Sequence, residues 1–190
     1  MGHFEILKWA RLNGCPWHGG VGIGAVDGGH FEILKWAREN GCPWEEEDSL
    51  CLVAAEKGHL KILQWIRSHR QDQDDDICDA AAQNGHLEIL QWAKLVGIPW
   101  DEYTCSGAAA GGHLKILQWL RQNDCPWNSN TCNFATKAGH FDILLFAICN
   151  GCKYNPTELH KLNGGMISLI LNIMKHYNIS PPQDLLEFGN

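Results

Sequence analysis

Four cysteines each stand eight residues before a histidine: Cys51 and His59, Cys78 and His86, Cys105 and His113, Cys132 and His140. Thiolate and imidazole are zinc ligands, so a ladder of Cys/His sites is the sharpest chemistry the chain offers. A structural zinc site needs four ligands converging on one ion, and a column repeating at helix spacings of about 10 Å does not converge. The cysteines lie among alanines, where a thiol serves as a small apolar group. Cys149-Asn150-Gly151-Cys152 has the spacing of a redox pair, but it falls at a helix C-terminus, whose dipole raises a thiol pKa. The pair reads as chance.

Three further patterns invite a chemical reading. Residues 19–24 spell GGVGIG, yet no Gly-Lys-Ser/Thr follows and no strand precedes, so a phosphate loop is not supported. Asp72, Asp74, Asp75 and Asp76 make an acidic run. Counted as a calcium loop from Asp72, the positions that require Gly and Glu hold Ile77 and Gln83, so the run reads as helix capping. Arg11, Arg38, Arg67, Lys94 and Arg121 form a basic column eight residues after His3, His30, His59, His86 and His113. It suits a last helical turn, with an anion-binding ridge as the alternative. No Ser/His/Asp or Cys/His pair stands outside the repeating columns, so no catalytic residue, cofactor or metal is expected.

Those columns come from a repeat. Gly-His recurs at 2–3, 29–30, 58–59, 85–86, 112–113 and 139–140, and the histidines are 27, 29, 27, 27 and 27 residues apart. Residues 2–17 and 29–44 differ at one position, Leu12 against Glu39. Three residues after each histidine is Ile, four after is Leu, and six after is Trp9, Trp36, Trp65, Trp92 or Trp119, then Phe146. Fourteen after is Trp17, Trp44, Trp100, Trp127, then Tyr154, with Gln73 breaking the column. At about 100° per residue these positions cover most of a helix, more than one neighbour can bury. Before the histidines, Cys51, Cys78, Cys105 and Cys132 at −8 and Ala25, Ala54, Ala81, Ala108 and Ala135 at −5 make a small-residue face on a second helix. Asp101 and Asn128 are capping types at its start, and the Gly before each histidine marks its end. Gly14, Gly41, Gly97 and Gly151 end the other helix, and Pro16, Pro43 and Pro99 block its continuation.

Each unit is thus helix A, a Gly turn, helix B and a Gly-Cys-Pro-Trp loop. The fold class is all-α: a solenoid of stacked helix-turn-helix repeats in one domain, 1–190. It comprises a half repeat at 2–17, an irregular Gly-rich segment at 18–29 with a frayed helix A, regular repeats to about 154, and a divergent capping repeat at 155–190. The chain begins inside a repeat, so a fragment of a longer array is one expectation. The nine tryptophans are expected to be buried and to dominate the interfaces, at roughly 4–6 kcal/mol each. On that reading Trp92→Ala would cut the stack.

These residues resemble ankyrin repeats. GHLKILQWLRQNDCPWN at 112–128 is similar to the ankyrin Gly-His-Leu-Glu-Val-Val-Lys-Leu-Leu-Leu helix and its Gly-Ala-Asp-type loop. TCSGAAAGGH at 104–113 resembles Thr-Pro-Leu-His-x-Ala-Ala-x-x-Gly-His. The likeness spans the chain, less clearly at 18–28 and 155–190. An ankyrin unit has about 33 residues; this one has 27, short where ankyrins place a β-hairpin finger. Thr157-Glu158-Leu159-His160 partly matches the Pro-Leu-His element that most units lack. The compact form is similar to repeats in large arrays of amoeba-infecting giant viruses, oomycetes and algae. The resemblance implies protein–protein binding, without the usual hairpin tips.

With 22 acidic against 15 basic residues and a net charge of −7, the chain is not expected to bind nucleic acid. No signal peptide is visible, and no apolar run approaches the roughly 20 residues of a membrane span. Ile6 breaks a myristoylation motif. Nine cysteines without a secretion signal point to reduced thiols in an intracellular, cytoplasmic protein, the host's if viral. The expectation is a monomeric interaction module or scaffold that binds another protein. Its candidate contacts are the variable positions at the start of helix A: His18, Glu46, Glu47, Asp75, Glu102, Tyr103, Ser129 and Asn130. A metal- or redox-responsive Cys/His protein and a non-functional fragment are the alternatives.

Overall fold

A computed structural model describes residues 2–18, 20–43, 49–69, 76–155, 164–176 and 180–181. The described residues are all-helical, with no strand, and form stacked helix-turn-helix repeats. The acidic run at 72–75, Trp44, Gln73 and the cap segments 156–163 and 182–190 lie outside them. Contacts divide the chain into two compact units, Met1–Ile77 and Cys78–Asn190.

In the first unit α1 (Gly2–Leu12), α3 (Phe31–Glu39) and α5 (Leu60–His69) are B helices, and α2 (Gly20–Asp27) and α4 (Leu50–Glu56) are A helices. Helix α2 packs against both α3 and α4, and α4 against α5. In the second unit the A helices are α6 (Ile77–Gln83), α8 (Glu102–Ala110) and α10 (Ser129–Ala138). Their B partners are α7 (Leu87–Val96), α9 (Leu114–Gln122) and α11 (Phe141–Cys149), and α12 (Gly164–His176) follows. There α8 packs on α10, and each pairs with its own B helix.

The columns define the helix ends. Where helix A stops, the amide of the opening histidine reaches back to the Ala five residues earlier: His59 to Ala54 at 2.8 Å, His113 to Ala108 at 2.9 Å, His140 to Ala135 at 2.8 Å. Helix B ends alike, Cys42 bonding Ala37 at 2.9 Å and Cys125 bonding Leu120 at 3.0 Å. This is the Schellman closure, and it fixes the residue in between as left-handed. An asparagine ten after the histidine completes the end: the amides of Asn13, Asn40, Asn123 and Asn150 donate to the carbonyls of Trp9, Trp36, Trp119 and Phe146 at 2.7–2.8 Å.

Two expectations change. The Gly-rich segment is not frayed: residues 20–27 are helical, with Gly22, Ala25 and Val26 buried. Packing against two neighbouring helices overrides a propensity cost of about 1 kcal/mol per glycine. Nor do the tryptophans make the core. Trp36, Trp65, Trp92 and Trp119 are half-buried, and Trp9 is 67% exposed. The fully buried set is aliphatic: Leu63, Ile66, Ile89, Leu90, Leu117, Leu120, Ile143 and Leu144, with Cys and Ala from helix A. An indole is too large to fit between helices brought close by alanines, so it lies across the joint between repeats.

There the aromatics pair edge to face. Loop Trp17 meets Trp36 of the next unit at 5.8 Å, Trp100 meets Trp119 at 5.7 Å, and Trp127 meets Phe146 at 6.1 Å between ring centroids. Trp17 Nε1 also donates to the Asn40 carbonyl at 3.0 Å. Such pairs contribute about 0.5–1.5 kcal/mol beyond area burial.

Candidate functional site

The described variable positions lie at the N-terminal ends of the A helices α2, α8 and α10. Asp101 and Asn128 sit in extended backbone, and their side chains accept the amides of Tyr103 at 2.7 Å and Asn130 at 2.8 Å. Each cap therefore turns the next residues of α8 and α10 out along one flank. Tyr103 is 55% exposed; Glu102, Ser129 and Asn130 are half-buried. The packing of α8 on α10 puts these four residues on consecutive helix starts. His18 holds the same register as Asp101 and Asn128, twelve before the histidine. Its exposed ring accepts the Gly20 amide through Nδ1 at 3.2 Å, so it acts as a capping group for α2. Glu46, Glu47 and Asp75 lie outside the described residues.

Beneath this flank a polar ladder ties the A helices of the second unit together. Thr104 Oγ1 donates to Asp79 Oδ1 at 2.6 Å, and the Ser106 and Thr131 hydroxyls meet at 3.5 Å. Thr104, Ser106 and Thr131 are buried, so their bonds satisfy groups that would otherwise be costly to bury. Phe134, one turn beyond Asn130, is a surface residue that sequence reasoning missed: it is 39% exposed. Its signal was present in the column six before the histidine, which runs Gly24, Val53, Ala80, Gly107, Phe134.

The Cys/His ladder resolves into two separate duties. Two histidine rings bridge to the previous repeat: His113 Nε2 donates to the Gln83 carbonyl at 3.1 Å and His59 Nε2 to that of Asp27 at 3.5 Å. The helix A cysteines are buried, and Cys105 Sγ lies 3.9 Å from the carbonyl of loop residue Cys125. Among the described residues no three His, Cys, Asp or Glu side chains are grouped to hold a metal ion. In the CxxC pair, half-buried Cys149 has its thiol pushed up by burial. Buried Cys152 instead donates to the Asn128 carbonyl at 3.2 Å.

The basic column serves its own loop. Arg11 and Arg38 donate to the carbonyls of Cys15 and Cys42 at 2.9 and 3.0 Å, and Arg121 to that of Cys125. The guanidiniums of Arg11 and Arg121 lie 4.9 and 4.4 Å from the ring centroids of Trp17 and Trp127, a cation–π stack on the loop. Lys94 reaches Asn123 Oδ1. An open groove lined by Gln118, Arg121, Trp127 and Phe146 runs along this side, but its aromatic and cationic groups are already engaged with one another.

Fold and surface together define a class: an all-α repeat protein whose constant columns build the stack and whose variable positions line the start of helix A. Residues 51–93 match the family model for ankyrin repeats (many copies), which supports an ankyrin repeat family. No curated protein matches the chain. No helix among the described residues is long and apolar enough to cross a membrane.

Proposed function

We propose that this protein is a non-catalytic protein-binding module or scaffold of the short, Trp- and Cys-rich ankyrin type similar to giant-virus and protist arrays. It acts as an intracellular, cytoplasmic monomer that engages another protein through the start of its A helices. The contact set is His18, Glu46, Glu47, Asp75, Glu102, Tyr103, Ser129 and Asn130, with Phe134 added. The observation that carries the reading is Tyr103, 55% exposed beside a fixed cap in a column that varies while the core columns hold. A tyrosine so held offers a large contact area at low entropic cost, and aromatic residues are enriched among those that dominate binding energy.

The test is quantitative binding of a partner captured from the native cell. Tyr103→Ala and Asn130→Ala are each expected to weaken it, Tyr103→Ala by roughly tenfold or more, with helicity unchanged. Charge reversal at Glu46, Glu47, Asp75 and Glu102 should also weaken it. Unchanged binding in all of these variants would remove this surface.

A further inference from the structure

The groove where α9 meets the next repeat keeps polar groups that its counterparts have already used. Its volume is about 490 Å³, and Gln118, Arg121, Gln122, Trp127, Phe146 and Asn150 line it. Sites for ligands fall in the range of roughly 300–1,000 Å³. Trp127 and Phe146 meet edge to face as one wall. The Arg121 guanidinium lies over the indole, 4.4 Å from the ring centroid, and donates through Nη1 to the Cys125 carbonyl. Its Nε and Nη2 have no partner among the described residues, and neither have the side-chain amides of Gln118 and Gln122. The Trp127 indole N–H is also unbonded there, whereas that of Trp17 donates to the Asn40 carbonyl. The other described joints are closed. Where Trp100 meets Trp119 the cation is Lys94, held by Asn123 Oδ1, with exposed Leu95 next in sequence. Where Trp17 meets Trp36, Lys8 and Leu12 stand in the columns of Gln118 and Gln122, and Lys8 is paired with Glu5.

We propose that this groove binds an extended peptide through an aspartate or glutamate side chain. The carboxylate accepts from Arg121 Nε and Nη2 together, in the fork that guanidinium and carboxylate share. The methylenes of the bound side chain lie against Trp127 and Phe146. The amides of Gln118 and Gln122, each both donor and acceptor, bond the peptide main chain on either side. Charge selects this occupant: Arg121 is the one charged group among the lining residues, and Asp124, exposed in the same loop, does not line the groove. A groove open to solvent with two unused amides suits a main chain better than an enclosed small molecule. Of the basic column, this rung alone among the described joints joins a free guanidinium edge to free amides. It shares no residue with the surface at the start of the A helices.

The test titrates the isotope-labelled full chain with the capped peptide acetyl-Gly-Glu-Gly-Glu-Gly-amide and follows the Arg121 Nε–H and Trp127 indole signals by NMR. Saturable shifts of both are expected, and none with the peptide in which Gln replaces Glu. Arg121→Lys keeps the charge and loses the fork, and is expected to weaken binding roughly tenfold or more. Arg121 also ties down its own loop, so Gln122→Glu decides if that variant fails to fold. Gln122 is exposed and without a partner, so a carboxylate there should repel the peptide and weaken it several-fold with the thermal midpoint unmoved. Unmoved signals at millimolar peptide, equal binding of the Gln peptide, or unchanged affinity in Gln122→Glu overturns the proposal. So does acetate that shifts the same signals as strongly at equal carboxylate concentration, since the occupant would then be a small free carboxylate.

Discussion

Asp124 alone among the described non-glycine residues has a positive φ, at 60°. Its counterparts eleven after the histidine are Gly14, Gly41, Gly97 and Gly151, all left-handed at 77–83°. A side chain there strains the backbone, so Asp124→Gly is expected to stabilise the protein by about 1 kcal/mol. Urea unfolding measures it, and an unmoved midpoint would mean that the aspartate recovers the strain locally. The Gly-His turns separate two costs. Gly112, at φ 79°, has the His140 ring 2.7 Å from where a Cβ would stand, while Gly139, at φ 78°, has open space. Gly139→Ala should lose roughly 1–2 kcal/mol for conformation alone. Gly112→Ala should lose more, because the imidazole standing against it must also move; equal losses would mean that the ring gives way at no cost. The glycine columns were legible because left-handed caps demand glycine. Their contact with a histidine 28 residues on was not, because it depends on how far one repeat is displaced from the last.

Between elements, the close approach of the A helices is set by Gly107 and Gly111. A Cβ on Gly107 would stand 2.9 Å from the Asp79 carbonyl, and one on Gly111 would overlap that of Gln83. Helix α8 thus meets the α6 backbone with nothing between. Gly111→Ala should cost about 1–3 kcal/mol through overpacking, visible as a lowered thermal midpoint. Within helix B the ranking inverts the one that residue size implies. Leu117→Ala, at a fully buried position, is expected to cost roughly 2–5 kcal/mol. Trp119→Ala, at a half-buried one, is expected to cost less, and the opposite order in denaturant unfolding would return the indoles to the core. Periodicity told which side chains leave the water-facing stripe. It could not tell aliphatic centre from aromatic seam, since both columns repeat equally well.

For the molecule as a whole, stability should be graded along the chain. The first unit carries Gly20, Gly22 and Gly24 inside α2, and Ile6 and Trp9 of α1 are 63% and 67% exposed. The equivalent Ile89, Ile116 and Ile143 of the second unit are buried. Amide exchange followed by mass spectrometry should therefore open 2–27 well before 87–148. Uniform exchange would argue for one cooperative block in place of additive repeats.

The helices, their order and their ends follow from the sequence by itself, because caps, Schellman turns and apolar spacing are short-range chemistry written afresh every 27 residues. The all-α repeat class was legible for the same reason. Tertiary structure alone decided that Arg121 serves its own loop, that His113 bonds a carbonyl 30 residues back, and that Cys152 bonds the Asn128 carbonyl. It also made α2 a helix despite its glycines, and left Phe134 exposed one turn beyond Asn130. Each of these outcomes turns on which groups stacking brings within a few ångströms, and that distance is a property of neighbours rather than of any residue's own spacing.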